Sequence, residues 1–160
     1  MRSEQEANRA IELYSDTVRR ICMVHLKSYS DTEDIFQNVF LKYVLSSAVF
    51  ESREHEKAWF IRVTINSCKD LLKNFFRSHT VPIEEINDLV QKYEPEQSSV
   101  LEAVLSLPDK YKDIVYLFYY EGYTAVEIAK LMNKNVNTVY TLLSRAKGVL
   151  RQKLGGEEFE

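Results

Sequence analysis

The side chains able to do covalent or metal chemistry are few in this chain, and they are scattered. Cys22 and His25 stand three apart, and Cys68 with His55 or His79 is the other pairing of a nucleophile with a base. No Gly-rich phosphate loop, no metal-spaced quartet and no acid-base pair in a recognisable setting accompanies them. Both cysteines fall on apolar helical stripes, which suits two reduced core thiols better than a disulfide or a metal pair. The expectation is a protein that is not an enzyme, with no cofactor and no metal. The chemistry on offer is instead that of fixed charge. From Ile128 to Gly156 there is no Asp or Glu, yet Lys130, Lys134, Arg145, Lys147, Arg151 and Lys153 all lie there, in a chain whose net charge is -3. A lone cluster of six bases is ordinarily a solvated face. On a helix-turn-helix it is the electrostatic footprint of DNA binding, because phosphates release counterions when Lys and Arg approach.

The elements that must carry these residues are helices. Four Gly and three Pro leave little material for the turns of a sheet-rich fold, and 160 residues suit two small domains. Residues 1–77 carry net charge +1, residues 78–100 carry -4, residues 101–154 carry +3, and the tail 155–160 carries -3. The acidic middle, with Pro82 and Pro95, reads as a flexible tether over residues 78–99, with one short helix near Glu84 to Tyr93. Before it, three helices are expected. The first runs from about Gln5 to Ser28 with Ile11, Tyr14, Val18, Ile21, Cys22 and His25 inward. The second is capped by Asp31 and reaches about Val49, with Phe36, Val39, Phe40, Tyr43 and Val44 inward. The third carries Ala58, Ile61, Ile65, Cys68, Leu72 and Phe75 and reaches about Arg77, after a polar stretch from Glu51 to Lys57.

Beyond the tether the spacing predicts a helix from Val100 to about Ser106, and an aromatic one from Asp109 to about Glu121 that Pro108 opens and Gly122 closes. Thr124 and Glu127 form a capping box for a helix over Ala125 to Met132. Asn133 tolerates the left-handed backbone of a tight turn. Asn135 caps a last helix with Val136, Val139, Leu143, Ala146 and Leu150 inward, and small Ala129 allows a close crossing. Two capped helices, a short turn and a basic second helix describe a helix-turn-helix. The fold class is all-α: an N-terminal three-helix bundle over 1–77 and a C-terminal four-helix domain over 100–154, ahead of the acidic tail 155–160. Met1 to Asn8 is polar, and no apolar run approaches the roughly 20 residues that span a bilayer. No membrane insertion and a cytoplasmic location are expected.

Three stretches then resemble the extracytoplasmic-function (ECF) sigma factors, the smallest class of the bacterial sigma-70 type. Asp31-Thr-Glu-Asp-Ile-Phe-Gln-Asn-Val-Phe-Leu-Lys42 is similar to the family's second helix. Ala58-Trp-Phe-Ile-Arg-Val-Thr-Ile-Asn66, followed by Asp70, resembles its Ala-Trp helix. Leu107-Pro108, Glu121-Gly122 and the run from Glu127-Ile128-Ala129 to Arg145-Ala146-Lys147 match its C-terminal domain. The resemblance implies a sigma factor that directs core RNA polymerase to specific promoters and assists initiation. It implies docking on the clamp helices of the largest polymerase subunit through Asp34, Gln37 and Phe40, although Phe40 reads equally well as core. It implies that the loop over Phe50 to Lys57, with His55 and Lys57, traps an unstacked base of the downstream promoter element. Asn66 would stand near that pocket, and Lys69, Lys73 and Arg77 along the backbone. Arg62 and Asp70 are expected to hold the bundle together.

In the last helix, Asn135, Asn137, Thr138, Tyr140, Thr141 and Arg145 are expected to face the upstream promoter element, and Lys147 and Arg151 its phosphates. Tyr140 and Leu142 stand where the family has basic residues, and Asn38 where it has Glu. By analogy with the family, an anti-sigma protein is an expected partner beside core polymerase and promoter DNA. A helix-turn-helix regulator that never joins the polymerase would explain the basic helix equally well, but not the two N-terminal stretches.

Overall fold

The computed structural model describes residues 1–26, 28–78 and 103–154, with the backbone alone at 75–78 and 154. The short helix expected in the tether, the rest of the tether beyond Ser78 and the acidic tail lie outside the described residues. The chain divides into two compact units, Met1–Glu94 and Pro95–Glu160, and every element among the described residues is helical.

The first unit is built from α1 (Glu4–Leu26), α2 (Tyr29–Leu45) and α3 (Arg53–Ser78), each packed on the other two. In α1 the inward stripe is Ala10, Tyr14, Thr17, Val18, Ile21 and Cys22. Ile11, expected inside, is exposed, and Ala10 is the buried residue of this turn. Helix α2 begins two residues before Asp31, since the Ser28 hydroxyl accepts the Asp31 amide at 3.3 Å and is the N-cap. Asp31 is left in the first turn, where its charge still suits the helix dipole. The helix stops at Leu45, short of Val49, with the Ser46 amide turned back to the Tyr43 carbonyl at 3.2 Å.

Helix α3 departs most from the sequence expectation. It starts at Arg53, so most of the polar stretch is its first turn and not a loop. Ser52 caps it, accepting the His55 amide at 3.1 Å on its hydroxyl and the Glu56 amide at 3.1 Å on its carbonyl. The early start brings Glu56 inside, 5 % exposed. Tyr14 donates to its Oε1 at 2.8 Å, Tyr43 to its Oε2 at 3.0 Å, and Arg9 Nη2 reaches both oxygens at 3.0 Å. One carboxylate thus joins α1, α2 and α3. Below it Phe60, fully buried, meets the rings of Tyr14, Phe40, Tyr43 and Trp59 at centroid distances of 4.7, 5.1, 4.9 and 5.0 Å. Aromatic pairs at these separations add to the stabilisation from burial itself. Cys22 and Cys68 are buried thiols not joined in a disulfide, as expected, with their sulfurs 3.9 Å apart between α1 and α3.

Arg62 and Asp70, expected to hold the bundle together, are both exposed on α3. The buried junction among the three helices is Glu56, and its sequence neighbours gave no sign of it.

In the second unit, residues 103–105 are helical and lead through Leu107 to α4 (Asp109–Val115). The expected continuation to Glu121 is present, but as a wider π turn over Tyr116–Tyr120, closed by the Glu121 amide on the Tyr116 carbonyl at 3.2 Å. This turn stacks the Tyr116 and Tyr120 rings 5.6 Å apart and leaves Leu117 in the core. Gly122, at φ 75°, makes the left-handed stop. Helix α5 (Ala125–Met132) begins with the reciprocal cap: Glu127 N–H to Thr124 Oγ1 at 3.2 Å and Thr124 N–H to Glu127 Oε1 at 3.0 Å. The Thr124 amide first, and its hydroxyl second, hold the Glu127 carboxyl below its ordinary range. Asn133 takes φ 53°, ψ 51° and turns the chain into α6 (Val136–Leu154), which Asn135 caps through the Asn137 amide at 2.8 Å. Ala103, Leu107, Tyr111, Val115, Ala146 and Leu150 form the core between α4 and α6.

Replacing Thr124 by alanine removes one side of the reciprocal cap and is expected to cost about 1 kcal/mol. Urea unfolding of the full chain checks it, and an unchanged midpoint for the C-terminal unit would refute the role given to the cap.

Candidate nucleic-acid and polymerase interfaces

Helix α6 buries Val139, Leu143, Ala146 and Leu150 and turns the opposite half to solvent. Asn137, Thr138, Tyr140, Thr141, Arg145 and Arg151 are all exposed there, Tyr140 at 56 %, and Lys147 is half-buried at the edge. Stepping about 100° per residue, these positions fill one continuous outward face. That face also contains Ser144 and Gln152, exposed polar residues outside the expected contact set. Asn135 has its Oδ1 engaged by the cap, so its side-chain amide group is what remains to face outward. The Thr141 hydroxyl donates to the Asn137 carbonyl at 2.9 Å and keeps its lone pairs for an incoming donor. Leu142 is half-buried against the core, so its replacement of a family Arg contributes to packing as well as removing charge. No acidic residue lies on α6, and Lys130 and Lys134 are exposed beside it. The result is an uncompensated positive face around a polar centre, the arrangement a recognition helix needs to enter a major groove.

In the first unit, α2 exposes Asp34, Gln37, Asn38, Leu41 and Leu45 along one side. Phe40 is not among them: it is 7 % exposed, with its ring against Phe36 at 4.6 Å and Phe60 at 5.1 Å. It therefore leaves the contact set as a core residue. The apolar positions on that side are Leu41 and Leu45, 55 % and 63 % exposed. Neither is in the contact set that the family resemblance implies, which names Asp34, Gln37 and Phe40.

The segment between α2 and α3 presents Phe50, half-buried, with its ring 6.4 Å from Tyr43, 6.0 Å from Trp59 and 5.7 Å from His55. His55 is exposed, and its Nδ1 accepts the Glu51 amide at 3.3 Å. Lys57 is half-buried in the first turn of α3. Asn66, Lys69 and Lys73 follow along the exposed side of α3 at steps of three and four. Arg77 continues that spacing on the helix backbone, and its side chain lies outside the described residues. His55, Asn66, Lys69 and Lys73 thus share one exposed side of α3 beyond the segment that carries Phe50, whereas Lys57 falls on the opposite, half-buried side.

Two helical units, the second ending in a basic helix-turn-helix with an outward face free of acid, define a DNA-binding factor. Residues 10–80 match Sigma-70 region 2, and residues 97–150 match Sigma-70, region 4. The chain is similar to the RNA polymerase sigma factor SigV of Bacillus subtilis, with 29 % identity over 141 residues, covering 87 % of this chain and 85 % of the relative. It is also similar to the ECF RNA polymerase sigma factor SigW of the same organism, at 23 % identity over 90 % of this chain and 86 % of the relative. Among solved structures, the sigma factor RpoE in complex with the anti-sigma factor NepR from Bartonella quintana has the same fold, with a TM-score of 0.75, 16 % identity and coverage of 96 % and 99 % of the two chains. CnrH in complex with the cytosolic domain of CnrY matches at a TM-score of 0.68 and 15 % identity, covering 98 % and 92 %. The chain belongs to the sigma-70 family and is an RNA polymerase sigma factor of the ECF type. No helix among the described residues is long and apolar enough to cross a membrane.

Proposed function

We propose that this sigma factor divides promoter recognition between its units. The α6 face around Asn137, Thr141 and Arg145 reads the upstream element, and the edge from Phe50 through Asn66 to Lys73 and Arg77 reads the downstream element and helps it to open. The side of α2 formed by Asp34, Gln37, Leu41 and Leu45 docks on core polymerase, at the clamp helices of the largest subunit. The observation that carries this reading is the order of the two matched regions, with the helix-turn-helix last and its outward face free of acid. The protein performs no covalent step of its own. It acts where polymerase and chromosome are, in the cytoplasm. An anti-sigma protein as its regulator is proposed on the strength of the family, and the solved structure of RpoE, described in complex with the anti-sigma factor NepR, agrees with that.

Charge and shape divide the labour on α6. Arg145 presents the planar fork that fits the O6 and N7 acceptors of guanine, Asn137 the amide that fits adenine, and Lys147 and Arg151 stand where phosphates run. Arg145→Ala is expected to cost about 1 to 3 kcal/mol on the cognate promoter and to relax preference at one upstream base pair. Gel-shift titration of holoenzyme on promoters carrying each base at that position checks it. Equal weakening on every variant would reassign Arg145 to phosphate.

The proposal as a whole is tested by mapping transcription starts with core polymerase in the presence and absence of the protein. New starts sharing an upstream and a downstream motif are expected. A protein that binds DNA yet gives core polymerase no new start is a helix-turn-helix regulator instead.

A further inference from the structure

We infer that Arg2, which precedes the residues matched to Sigma-70 region 2, is a positioning residue for the downstream-element contact: it fixes the segment between α2 and α3 that carries Phe50. The inference rests on the reading of that segment as the base-capturing element.

Helix α2 ends at Leu45, where the last carbonyls of any α-helix lack partners within the helix. Arg2 takes them. Its amide donates to the Val44 carbonyl at 2.9 Å, and its Nε to the Tyr43 carbonyl at 3.0 Å. Its Nη2 donates beyond the helix to the Ala48 carbonyl. A cation at this end of the helix also meets the negative pole of the dipole. The guanidinium lies 4.4 Å from the centroid of the Tyr43 ring and 5.4 Å from that of Phe50. Glu6, one helical turn away, meets Nη1 at 3.4 Å and orients the group. The side chain is 15 % exposed, so this cluster is largely removed from water.

One guanidinium therefore ties the C-terminal end of α2, the carbonyl of Ala48 and the face of Phe50 together. Trp59 approaches the Phe50 ring edge-on at 6.0 Å. The planar fork matters here: lysine supplies the charge, but it cannot hold two carbonyls and lie flat against two rings at once. Holding the segment in place before DNA arrives lowers the ordering cost of capturing a base, because a preformed site does not have to be fixed on binding. Without Arg2 the same side chains are present but must be ordered by the DNA.

The test uses the full chain assembled with core polymerase, in four versions: unchanged, Arg2→Ala, Arg2→Lys and Phe50→Ala. Each is titrated with two DNA probes from a promoter found by start mapping. One probe has a single-stranded downstream element, in its cognate form and with each base replaced in turn. The other is a duplex of the upstream element alone. For Arg2→Ala the preference for the cognate downstream probe is expected to fall about tenfold, with upstream binding unchanged. Arg2→Lys is expected to restore only a small part of that preference, and Phe50→Ala to lose at least as much. If Phe50→Ala loses the preference and both Arg2 variants keep it, the positioning role is overturned while the downstream reading stands. If no variant alters the preference, the downstream reading fails and the positioning role falls with it. Equal loss on both probes with a lowered unfolding midpoint would show general destabilisation and would also overturn the role.

Discussion

Glu56→Ala is expected to destabilise the N-terminal unit by about 3 kcal/mol, because it leaves two buried tyrosine hydroxyls without their acceptor and Arg9 without its counter-charge. Glu56→Gln keeps the volume and one acceptor oxygen and is expected to cost about 1 to 2 kcal/mol. The effect carries a pH signature. Burial pushes the Glu56 carboxyl up, but the hydrogen bonds from Tyr14, Tyr43 and Arg9 outweigh it and hold the group below its ordinary range. Burial, with Glu56 alongside, pushes the Tyr14 and Tyr43 hydroxyls up, so both remain donors. A carboxyl lowered in the folded state contributes stability that is complete above its unfolded pKa, roughly 4.3, and lost as the pH falls through the folded value. Urea unfolding of the unchanged chain and Glu56→Gln across this range should give two curves that separate at neutral pH and converge in acid. Parallel curves at every pH would remove Glu56 from the centre of the bundle.

The second large effect is on assembly. Leu41 and Leu45 are exposed in the free protein, so changing both to alanine is expected to leave the unfolding midpoint nearly unchanged. Buried against a partner, the two truncations together should remove about 3 kcal/mol, roughly a hundredfold in affinity for core polymerase. Fluorescence anisotropy of labelled protein titrated with core enzyme measures it directly. Full affinity in the double variant would move the docking surface off this side of α2. A matched change at Phe40 is a poor probe of docking, because removing a core ring destabilises the fold whatever it does to the partner.

Much of the C-terminal unit is legible in local chemistry. Thr124 and Glu127, Gly122, Asn133 and Asn135 each satisfy a backbone group or conformation within a few residues of themselves, and all five stand in the structure as their residue types demand. The alternation of buried and exposed positions in α6 follows from a period of 3.6 that needs no knowledge of the partner helix. The N-terminal unit is less legible, because its decisive contacts are long-range. Phe40, offered both as core and as contact, is settled by the position of Phe60 twenty residues on. Ala10 is fully buried, and Ile11, one position and about 100° further round the helix, is 38 % exposed.

Composition, period and caps therefore determined by themselves that the chain is helical, where the helix-turn-helix lies and which face of its last helix is outward, since each depends on forces acting over one or two turns. Tertiary structure alone decided that Glu56 is a buried junction and that Arg2 closes the end of α2. Each of these depends on polar groups finding partners some forty residues away, and a buried carboxylate or a helix end becomes tolerable only once the whole bundle has brought those partners to it.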